Sequence, residues 1–328
     1  MSKIVLEIKD LTLEFPIYGG SISAVNGVSL HVREGEVVGL VGESGSAKSV
    51  TAMTIMRLLP RDAFRIKSGT IEVLGRDAVS MSESAIREMR GRDVAMIFQE
   101  PLTALNPTRK VGAQMISVIG RHMKLDKRSA RSHAVKLLTS MRINDAAEVL
   151  DRYPFELSGG MRQRILIGLA FACSPRLLIA DEPTTALDVT VQMQVLQLLR
   201  EKVAELNTAI LFISHDLALV SQFCDRLYVM YAGSVVEAGP TLDVLANPRH
   251  PYTQALIRSL PDSGMPGESL RSISGTVPSL AALPAGCAFR ERCDYAFGDC
   301  AKRPPLFQQG GQERFAACWL NNKQEMRV

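Results

Sequence analysis

The chain has 328 residues, enough for one large domain with an appendage or for two domains. Its 46% hydrophobic and 22% charged residues are typical of an ordinary globular protein. With 38 basic against 34 acidic residues, the net charge of +4 is too balanced to indicate nucleic-acid binding, and we expect no nucleic-acid partner. No apolar run reaches about 18 residues, and residues 1–7 lack a signal-peptide pattern, so we expect any membrane role to come through a partner.

Alternating apolar residues predict two strands near the start of the chain, over residues 4–15 and 25–32. Phe15 is one of the aromatic residues nearest in sequence to the glycine-rich segment that follows. Its ring could stack on a purine base, although a position in the core explains it about equally well. Phe15 is therefore a candidate nucleotide contact.

A glycine-rich segment, residues 42–49, lies between the apolar run Val37–Val41 and a pattern of helical spacing over residues 50–59. This order predicts a strand, a tight loop and a helix, whose backbone N–H groups and N-terminus would surround a phosphate chain. Lys48 would reach the β- and γ-phosphates, and the Ser49 hydroxyl would bind Mg²⁺. The candidate ATP-binding residues of this segment are Gly42, Glu43, Ser44, Gly45, Ser46, Ala47, Lys48, Ser49 and Val50.

Ala47 stands where the phosphate-loop pattern G-x-x-x-x-G-K-[ST] has its second fixed glycine. If this position needs a positive φ, the alanine Cβ costs roughly 1–2 kcal/mol. A cost of that size would lower ATP affinity by about tenfold or more. Two interpretations stay open: the loop relaxes and tolerates the methyl group, or this phosphate site is weakened or inactive.

Gln99 ends a buried strand that the sequence predicts over residues 94–98. It could touch Mg²⁺ or the attacking water, although a surface glutamine is the better interpretation of this residue alone. Residues 102–150 then change character. Helical spacing with charged faces over residues 111–122, 127–141 and 145–150 predicts a helical insertion in an otherwise α/β pattern.

Residues 157–164 read Leu-Ser-Gly-Gly-Met-Arg-Gln-Arg and open a predicted helix that runs to Cys173. Ser158 is a natural N-cap, while Gly159 and Gly160 leave backbone N–H groups uncovered. An ordinary capped helix and a second phosphate-binding helix start are equally consistent with this segment alone.

Two carboxylates end a later apolar run, Leu177–Asp181 followed by Glu182. Asp181 suits a Mg²⁺ ligand acting through water, and Glu182 suits a base that polarises the attacking water. A further buried strand, predicted over residues 209–213, leads to His215. His215 could contact a γ-phosphate, although a lone histidine is usually structural.

Four of the six cysteines fall near the C-terminus: Cys287, Cys293, Cys300 and Cys318. In a chain without an export signal, such a group favours a metal or cluster site over disulfides. Structural zinc sites pair cysteines closely in sequence, so the wider spacings here favour a [4Fe–4S] cluster, with zinc and free thiols or a disulfide as alternatives. Cys173 and Cys224 lie in apolar helical surroundings and are predicted to be buried small hydrophobes.

Taken in order, these motifs resemble those of the ATP-binding subunits of ABC transporters over about residues 4–260. Residues 42–49 resemble Walker A with one mismatch, Gln99 the Q-loop, residues 157–164 the signature, Leu177–Asp181 with Glu182 Walker B, and His215 the switch histidine. The resemblance implies an α/β fold with a P-loop ABC ATPase core at residues 1–260, including an antiparallel β subdomain and a helical subdomain at about 100–162. Residues 261–328 would form a small cysteine-rich C-terminal extension.

Two later segments narrow the resemblance. Residues 247–256 and 275–278 are similar to segments of dipeptide and oligopeptide importers. The whole chain most resembles the first ATPase subunit of bacterial dipeptide importers, the D,D-dipeptide type included.

The resemblance implies a subunit that hydrolyses ATP to drive the uptake of di- or oligopeptides, bound peripherally at the cytoplasmic face of the inner membrane. Its expected partners are a related but different ATPase subunit, a pair of membrane permease subunits and a periplasmic or extracellular peptide-binding protein. In such a pair Ser158, Gly159 and Gly160 would complete the partner subunit's ATP site.

The same resemblance implies roles for individual residues: catalysis by Glu182 and His215, Mg²⁺ binding by Ser49, Gln99 and Asp181, and a [4Fe–4S] cluster on the four late cysteines. The rival class is a soluble ABC ATPase of repair or translation. Proteins of that class usually carry two cores or a coiled-coil insertion, whereas this sequence has one core and a helical insertion.

Overall fold

The computed structural model describes residues 2–99, 104–185, 188–260, 273–311 and 313–325. In these residues the strands are β1 Ile4–Ile17, β2 Gly20–Arg33, β3 Val37–Val41, β4 Arg65–Val73, β5 Arg76–Asp77, β6 Val94–Ile97, β7 Leu177–Asp181, β8 Ala209–Ser214, β9 Arg226–Tyr231, β10 Ser234–Pro240, β11 Phe307–Gln308 and β12 Phe315–Ala316. The helices are α1 Lys48–Ile55, α2 Glu83–Met89, α3 Val111–Met123, α4 Lys127–Ser140, α5 Ala146–Val149, α6 Gly159–Phe171, α7 Val189–Leu206, α8 Leu217–Phe223, α9 Thr241–Ala246, α10 Pro251–Arg258 and α11 Trp319–Glu325. None of these described helices is both long and apolar enough to cross a membrane.

The elements fall into two compact units. The first comprises residues 1–5, 32–36 and 80–212, and the second comprises residues 6–31, 37–79 and 213–328. The glycine-rich loop and the cysteine-rich extension therefore belong to the same unit. The predicted domain boundary at residue 260 and the predicted start of the helical subdomain at residue 100 stay predictions, because residues 261–272 and 100–103 lie outside the described part of the chain.

An antiparallel sheet with the strand order β2-β1-β4-β5 lies mainly in the second unit. β1 runs antiparallel to β4, and β4 runs antiparallel to β5. A register shift after Lys9 interrupts the strict alternation of β1. The side chains that β1 buries, none more than 1% exposed, are Val5, Leu6, Ile8, Leu11 and Leu13. Their removal from water stabilises this sheet and accounts for the alternating pattern that predicted it.

A second set of strands in this unit contains the strand that precedes the loop. β3 pairs in parallel with β9, and β10, β12 and β11 follow in antiparallel pairing. Every residue of β3 and β9 is buried, as expected for strands that are covered on both faces. The two short strands β11 and β12 come from the extension, which thus continues the sheet beyond β10.

The first unit holds the helical insertion and a parallel strand pair. β6 and β7 pair in parallel with Ile97 opposite Ala180, so the two strands end side by side. α3 packs against α4, and α6 packs against α4, α7 and β6. The α/β class and the helical insertion that the sequence predicts are therefore present.

The helix after the glycine-rich loop is shorter than predicted. The pattern predicts a helix over residues 50–59, whereas α1 spans Lys48–Ile55. Arg57 adopts a φ of 48°, and a left-handed residue ends an α-helix. After Ile55, Met56 is still buried but Leu58 is exposed, so the apolar spacing there does not mark a continued helix.

Gly233 offers a test of the packing around the β9–β10 hairpin. It has a φ of +80°, and a Cβ at this position would lie 2.3 Å from the carbonyl oxygen of Ala24. We expect Gly233→Ala to lower the free energy of unfolding by about 2 kcal/mol or more, because the left-handed backbone and the overlap both oppose the methyl group. Urea unfolding followed by circular dichroism measures the change.

Gly19→Ala is the matched control. Gly19 has nearly the same φ, +81°, but open space where the Cβ would stand. We expect Gly19→Ala to lower the free energy of unfolding by about 1 kcal/mol, because the left-handed backbone alone opposes its methyl group. Equal losses in the two variants would contradict the packing argument.

Candidate nucleotide site

The phosphate loop, residues 42–47, connects β3 to α1 through a backbone that is repeatedly left-handed. The φ angles are 153° at Gly42, 81° at Gly45 and 71° at Ala47. A Cβ on Gly42 would lie 2.1 Å from the carbonyl oxygen of Met230, so only glycine fits there. Ala47 adopts the positive φ on which the sequence argument about this position depends.

Lys48 begins α1 and is only 5% exposed. Its Nζ donates hydrogen bonds to the carbonyl oxygens of Gly42 at 2.7 Å and Glu43 at 3.0 Å, and to the Ser46 hydroxyl at 3.4 Å. The ammonium group therefore lies inside the curve of the loop. A cation in that position attracts a phosphate chain that the loop surrounds.

The N-terminus of α1 is open to an anion. Its N-cap Ala47 has no side-chain acceptor, and the first turn contains no acidic residue. The first-turn N–H groups and the helix dipole can therefore interact with a phosphate group. Ser49 and Val50 in this turn are half-buried, while Ser44 and Gly45 are exposed at the tip of the loop.

In the first unit, Glu182 follows β7 and its carboxylate has two described donors. Gln99 Nε2 donates to Glu182 Oε2 at 3.0 Å, and the Thr185 hydroxyl donates to the same oxygen at 3.0 Å. These bonds stabilise the charged carboxylate and hold it in one orientation. The structure thus brings together Gln99 and Glu182, which the sequence predicts separately. Asp181, one residue earlier, is 5% exposed at the end of the strand.

The signature segment starts α6 with an uncovered end. Ser158 is the N-cap and its hydroxyl accepts from the Met161 N–H at 3.4 Å, as predicted. Ser158 and Gly159 are exposed, and Gly160 is half-buried. These residues are therefore accessible to another molecule.

Gln163, on the same helix, is a residue that the sequence argument missed. Its side chain is fully buried, and its amide donates to the carbonyl oxygen of Pro183, just after Glu182. Thr185 was missed as well. A polar residue on the apolar face of α6 was the signal for Gln163, whereas no pattern in the sequence marks Thr185.

Two other candidates stay predictions. His215 is exposed after β8, next to Asp216, whose carboxylate caps α8 by accepting from the N–H groups of Ala218 and Leu219. Phe15 is half-buried on β1. Neither position by itself decides a contact with nucleotide.

The four late cysteines line one small cavity together with His250 and Trp319. Gly286, at φ +87°, lets the Cys287 segment approach the Cys300 segment so closely that a Cβ would lie 2.3 Å from the Cys300 carbonyl oxygen. Burial raises the pKa of the Cys287 and Cys293 thiols and raises the pKa of Cys318 to about 11. The common cavity brings together side chains that are widely spaced in the sequence.

This arrangement corrects two of the alternatives for the cysteines. None of the six cysteines forms a disulfide. Within the described ranges, no three His, Cys, Asp or Glu side chains are placed to hold a metal ion, so the structure supports neither the expected [4Fe–4S] cluster nor the zinc alternative. Cys224 is buried as predicted, but Cys173 is only half-buried.

Comparisons with known families agree with the fold and the phosphate loop. A family profile described as "ABC transporter" matches residues 25–185, and one described as "Oligopeptide/dipeptide transporter, C-terminal region" matches residues 236–300. The solved structure of cbiO1 from Clostridium perfringens, part of the ABC transporter complex cbiONQ, has 26% identity and a TM-score of 0.63 over 75% of this chain and 92% of that one. The dimeric ATP-binding cassette MJ0796 bound to ADP and Pi, at 23% identity, has a TM-score of 0.64 over 72% and 98% of the two chains, which shows the fold alone. The fold class is thus a P-loop ABC ATPase.

Similar curated proteins cover nearly the whole chain. The probable D,D-dipeptide transport ATP-binding protein DdpD of Escherichia coli K12 is 55% identical over 100% of both chains. The oligopeptide transport ATP-binding protein OppD of Bacillus subtilis 168 is 45% identical over 96% of this chain and 88% of its own, and the dipeptide transport ATP-binding protein DppD of the same strain is 42% identical over 97% and 95%. This chain belongs to the ABC transporter family, among its peptide transport ATP-binding proteins.

Ala47→Gly tests whether the left-handed alanine weakens the loop. At a φ of 71° the alanine methyl group adds a conformational cost of roughly 1–2 kcal/mol, which a glycine would not have. We expect the variant to bind MgATP up to about tenfold more tightly than the wild type. Isothermal titration of the full-length chain measures the affinity.

Gly45→Ala is the opposing control in the same loop, because Gly45 has a φ of 81° and open space around its Cβ position. It should weaken MgATP binding through the backbone alone. An unchanged affinity in Ala47→Gly would show that the loop tolerates alanine without cost.

Proposed function

We propose that this chain is the ATPase subunit of a bacterial importer and hydrolyses ATP to drive the uptake of di- or oligopeptides. The phosphate loop carries the ATPase assignment, since Lys48 and the uncapped start of α1 meet there. The cargo assignment is supported by the relatives, which are described as D,D-dipeptide, oligopeptide and dipeptide transport proteins. The match of residues 236–300 to the peptide-transporter C-terminal region favours this function over a soluble ABC ATPase.

Phosphoryl transfer to water needs positioning and charge stabilisation more than covalent chemistry. Lys48 and the N–H groups of α1 would bind the phosphates and stabilise the negative charge that develops on them. Glu182, oriented by Gln99 and Thr185, would polarise the attacking water. His215 would contact the γ-phosphate.

The hydroxyl, amide and carboxylate oxygens of Ser49, Gln99 and Asp181 are of the kind that Mg²⁺ prefers. We propose that these three residues would bind the ion. When bound, the ion would neutralise phosphate charge.

The proposal includes a second, related ATPase subunit, and the exposure of the signature segment supports it. Ser158, Gly159 and Gly160 would complete the ATP site of that partner. The assembly would further contain a pair of permease subunits and a peptide-binding protein, with this chain peripheral at the cytoplasmic face of the inner membrane.

Glu182→Gln tests the proposed chemistry. The substitution keeps the size of the side chain and removes the charge that polarises water, so we expect the turnover of ATP to fall by about 100-fold or more while MgATP still binds. The measurement is ATP hydrolysis by the complex purified from membranes with its associated chains, with and without the peptide-loaded binding protein.

Glu201→Gln is the control, because Glu201 is an exposed carboxylate that pairs with Arg142 on the surface of the same unit. Its turnover should equal that of the wild type. A Glu182→Gln complex that hydrolyses ATP at the wild-type rate would contradict the assigned role. A wild-type chain that does not associate with membrane subunits would favour the soluble ATPase instead.

For the four late cysteines we propose a [4Fe–4S] cluster. Four thiolates are the usual ligand set of such a cluster, and a cluster spans a wider group of sulfur atoms than one metal ion does. The common cavity supports the proposal, although the described residues include no three side chains already placed to hold a metal ion. The cluster would staple a short segment that buries little core of its own.

Iron content of the anaerobically purified chain tests the cluster. We expect about four irons per chain and absorbance at about 400 nm. Cys293→Ser should lose both, while Cys173→Ser, a half-buried cysteine of the first unit, should retain both. Colourless wild-type protein with stoichiometric zinc would refute the proposal.

A further inference from the structure

Glu43 in the phosphate loop is held by residues that lie more than 200 positions later in the sequence. Its carboxylate accepts two hydrogen bonds from Arg292, from Nη1 at 2.8 Å and from Nη2 at 3.1 Å. Its backbone N–H donates to the Tyr252 hydroxyl at 2.9 Å. Both the side chain and the backbone of one loop residue are therefore fixed by the C-terminal part of the second unit.

Arg292 is held in place by contacts other than those with Glu43. Its side chain is 6% exposed, whereas that of Glu43 is 27% exposed. The guanidinium group donates to the Ser274 carbonyl oxygen at 2.8 Å and to the Tyr231 hydroxyl at 3.3 Å, and it lies over the ring of Phe289. A bidentate arginine that is already immobilised adds geometric precision to the ion pair at little further entropic cost.

Tyr252 is equally well placed. It is fully buried in α10, and its ring lies 4.6 Å from that of Tyr231. The start of α10 is bound to β10 by the buried Glu237, whose carboxylate accepts from the N–H groups of Arg249 at 2.7 Å and His250 at 2.9 Å. The Tyr252 hydroxyl is thus carried by a rigid element.

The charge of Glu43 gives the ion pair a consequence for ligand binding. The Glu43 carbonyl oxygen accepts a hydrogen bond from the Lys48 ammonium, so the residue lies in the part of the loop that holds this lysine. A carboxylate there opposes the approach of a triphosphate unless a cation compensates it. Arg292 supplies that compensation through two hydrogen bonds to the carboxylate.

We propose that Arg292 is a positioning residue of the phosphate loop, through which the cysteine-bearing segment sets the affinity of this subunit for ATP. The inference rests on the proposed ATPase function. It assigns the segment around Cys293, the residue that follows Arg292, a role at the nucleotide site in addition to its own fold. Tyr252 acts in the same direction by holding the Glu43 backbone.

The test compares MgATP affinity of the full-length wild-type chain and Arg292→Ala, measured by displacement of trinitrophenyl-ATP. We expect Arg292→Ala to bind about tenfold more weakly. In the assembled complex the KM for ATP should rise while kcat at saturation stays near the wild-type value, because ATP restores the loop once it is bound. A folded Arg292→Ala chain with wild-type affinity would overturn the inference.

Two further variants test whether the affinity depends on the Arg292–Glu43 ion pair or only on a positive charge somewhere near the loop. Arg290→Ala removes an arginine from the same 3₁₀ turn, Arg290–Arg292, and should keep wild-type affinity, since the described bonds to Glu43 come from Arg292. Glu43→Gln in the Arg292→Ala background removes the uncompensated carboxylate and should recover part of the lost affinity. Equal losses in the Arg290 and Arg292 variants, or no recovery in the double variant, would overturn the inference.

Thermal unfolding by circular dichroism checks that each variant is folded. If Arg292→Ala fails to fold, Arg292→Lys decides instead, because lysine keeps the charge but cannot form the two parallel bonds. Wild-type affinity in that variant would refute the positioning role. A wild-type chain that binds no MgATP would refute the proposed function itself and not this inference.

Discussion

The left-handed backbone of the phosphate loop is the constraint on which the candidate site depends. Chains of L-residues avoid this conformation, and here it recurs at Gly42, Gly45 and Ala47 between one strand and one helix. Such a loop is stable only when its surroundings hold it. The Met230 carbonyl leaves room for nothing larger than glycine at residue 42, and Lys48 bonds to the loop from within.

The outside of the loop is held by the C-terminal part of the same unit. Tyr252 and Arg292 reach Glu43 from two elements that are themselves immobilised by buried aromatic rings and by Glu237. These contacts help to explain how the loop keeps a strained residue at Ala47. Contacts elsewhere in the loop can offset its conformational cost of roughly 1–2 kcal/mol. The extension therefore has an energetic connection to the nucleotide loop whether or not its cysteines hold a cluster.

In the first unit, the main feature of the candidate site is the orientation of the Glu182 carboxylate. Glu182 adopts a φ of 46° directly after β7, which turns the chain away from the sheet. Gln99 and Thr185 then donate to one carboxylate oxygen, and the Gln163 amide donates to the carbonyl oxygen of Pro183, the residue after Glu182. The strand end is thus rigid at the residue that the proposed mechanism assigns to the attacking water.

The sequence by itself determined what depends on local pattern. The buried strand Leu177–Asp181 has the same bounds as the apolar run in the sequence, and the phosphate loop is marked by its glycines and Lys48. The loop pattern raised a positive φ at Ala47 as a condition, and the structure shows it. Where the apolar pattern continued past the end of the helix at Ile55, Met56 is buried but Leu58 is exposed.

Only the tertiary structure decided which distant residues meet. Arg292 and Glu43 are 249 positions apart, and Gln99 and Glu182 are 83 apart. No periodicity links such pairs, because their contacts depend on how separate loops pack after the strands and helices have formed. For the same physical reason, the sequence shows four late cysteines but does not reveal that all of them line one cavity. It also does not reveal that Arg292, the residue before Cys293, bonds to the phosphate loop.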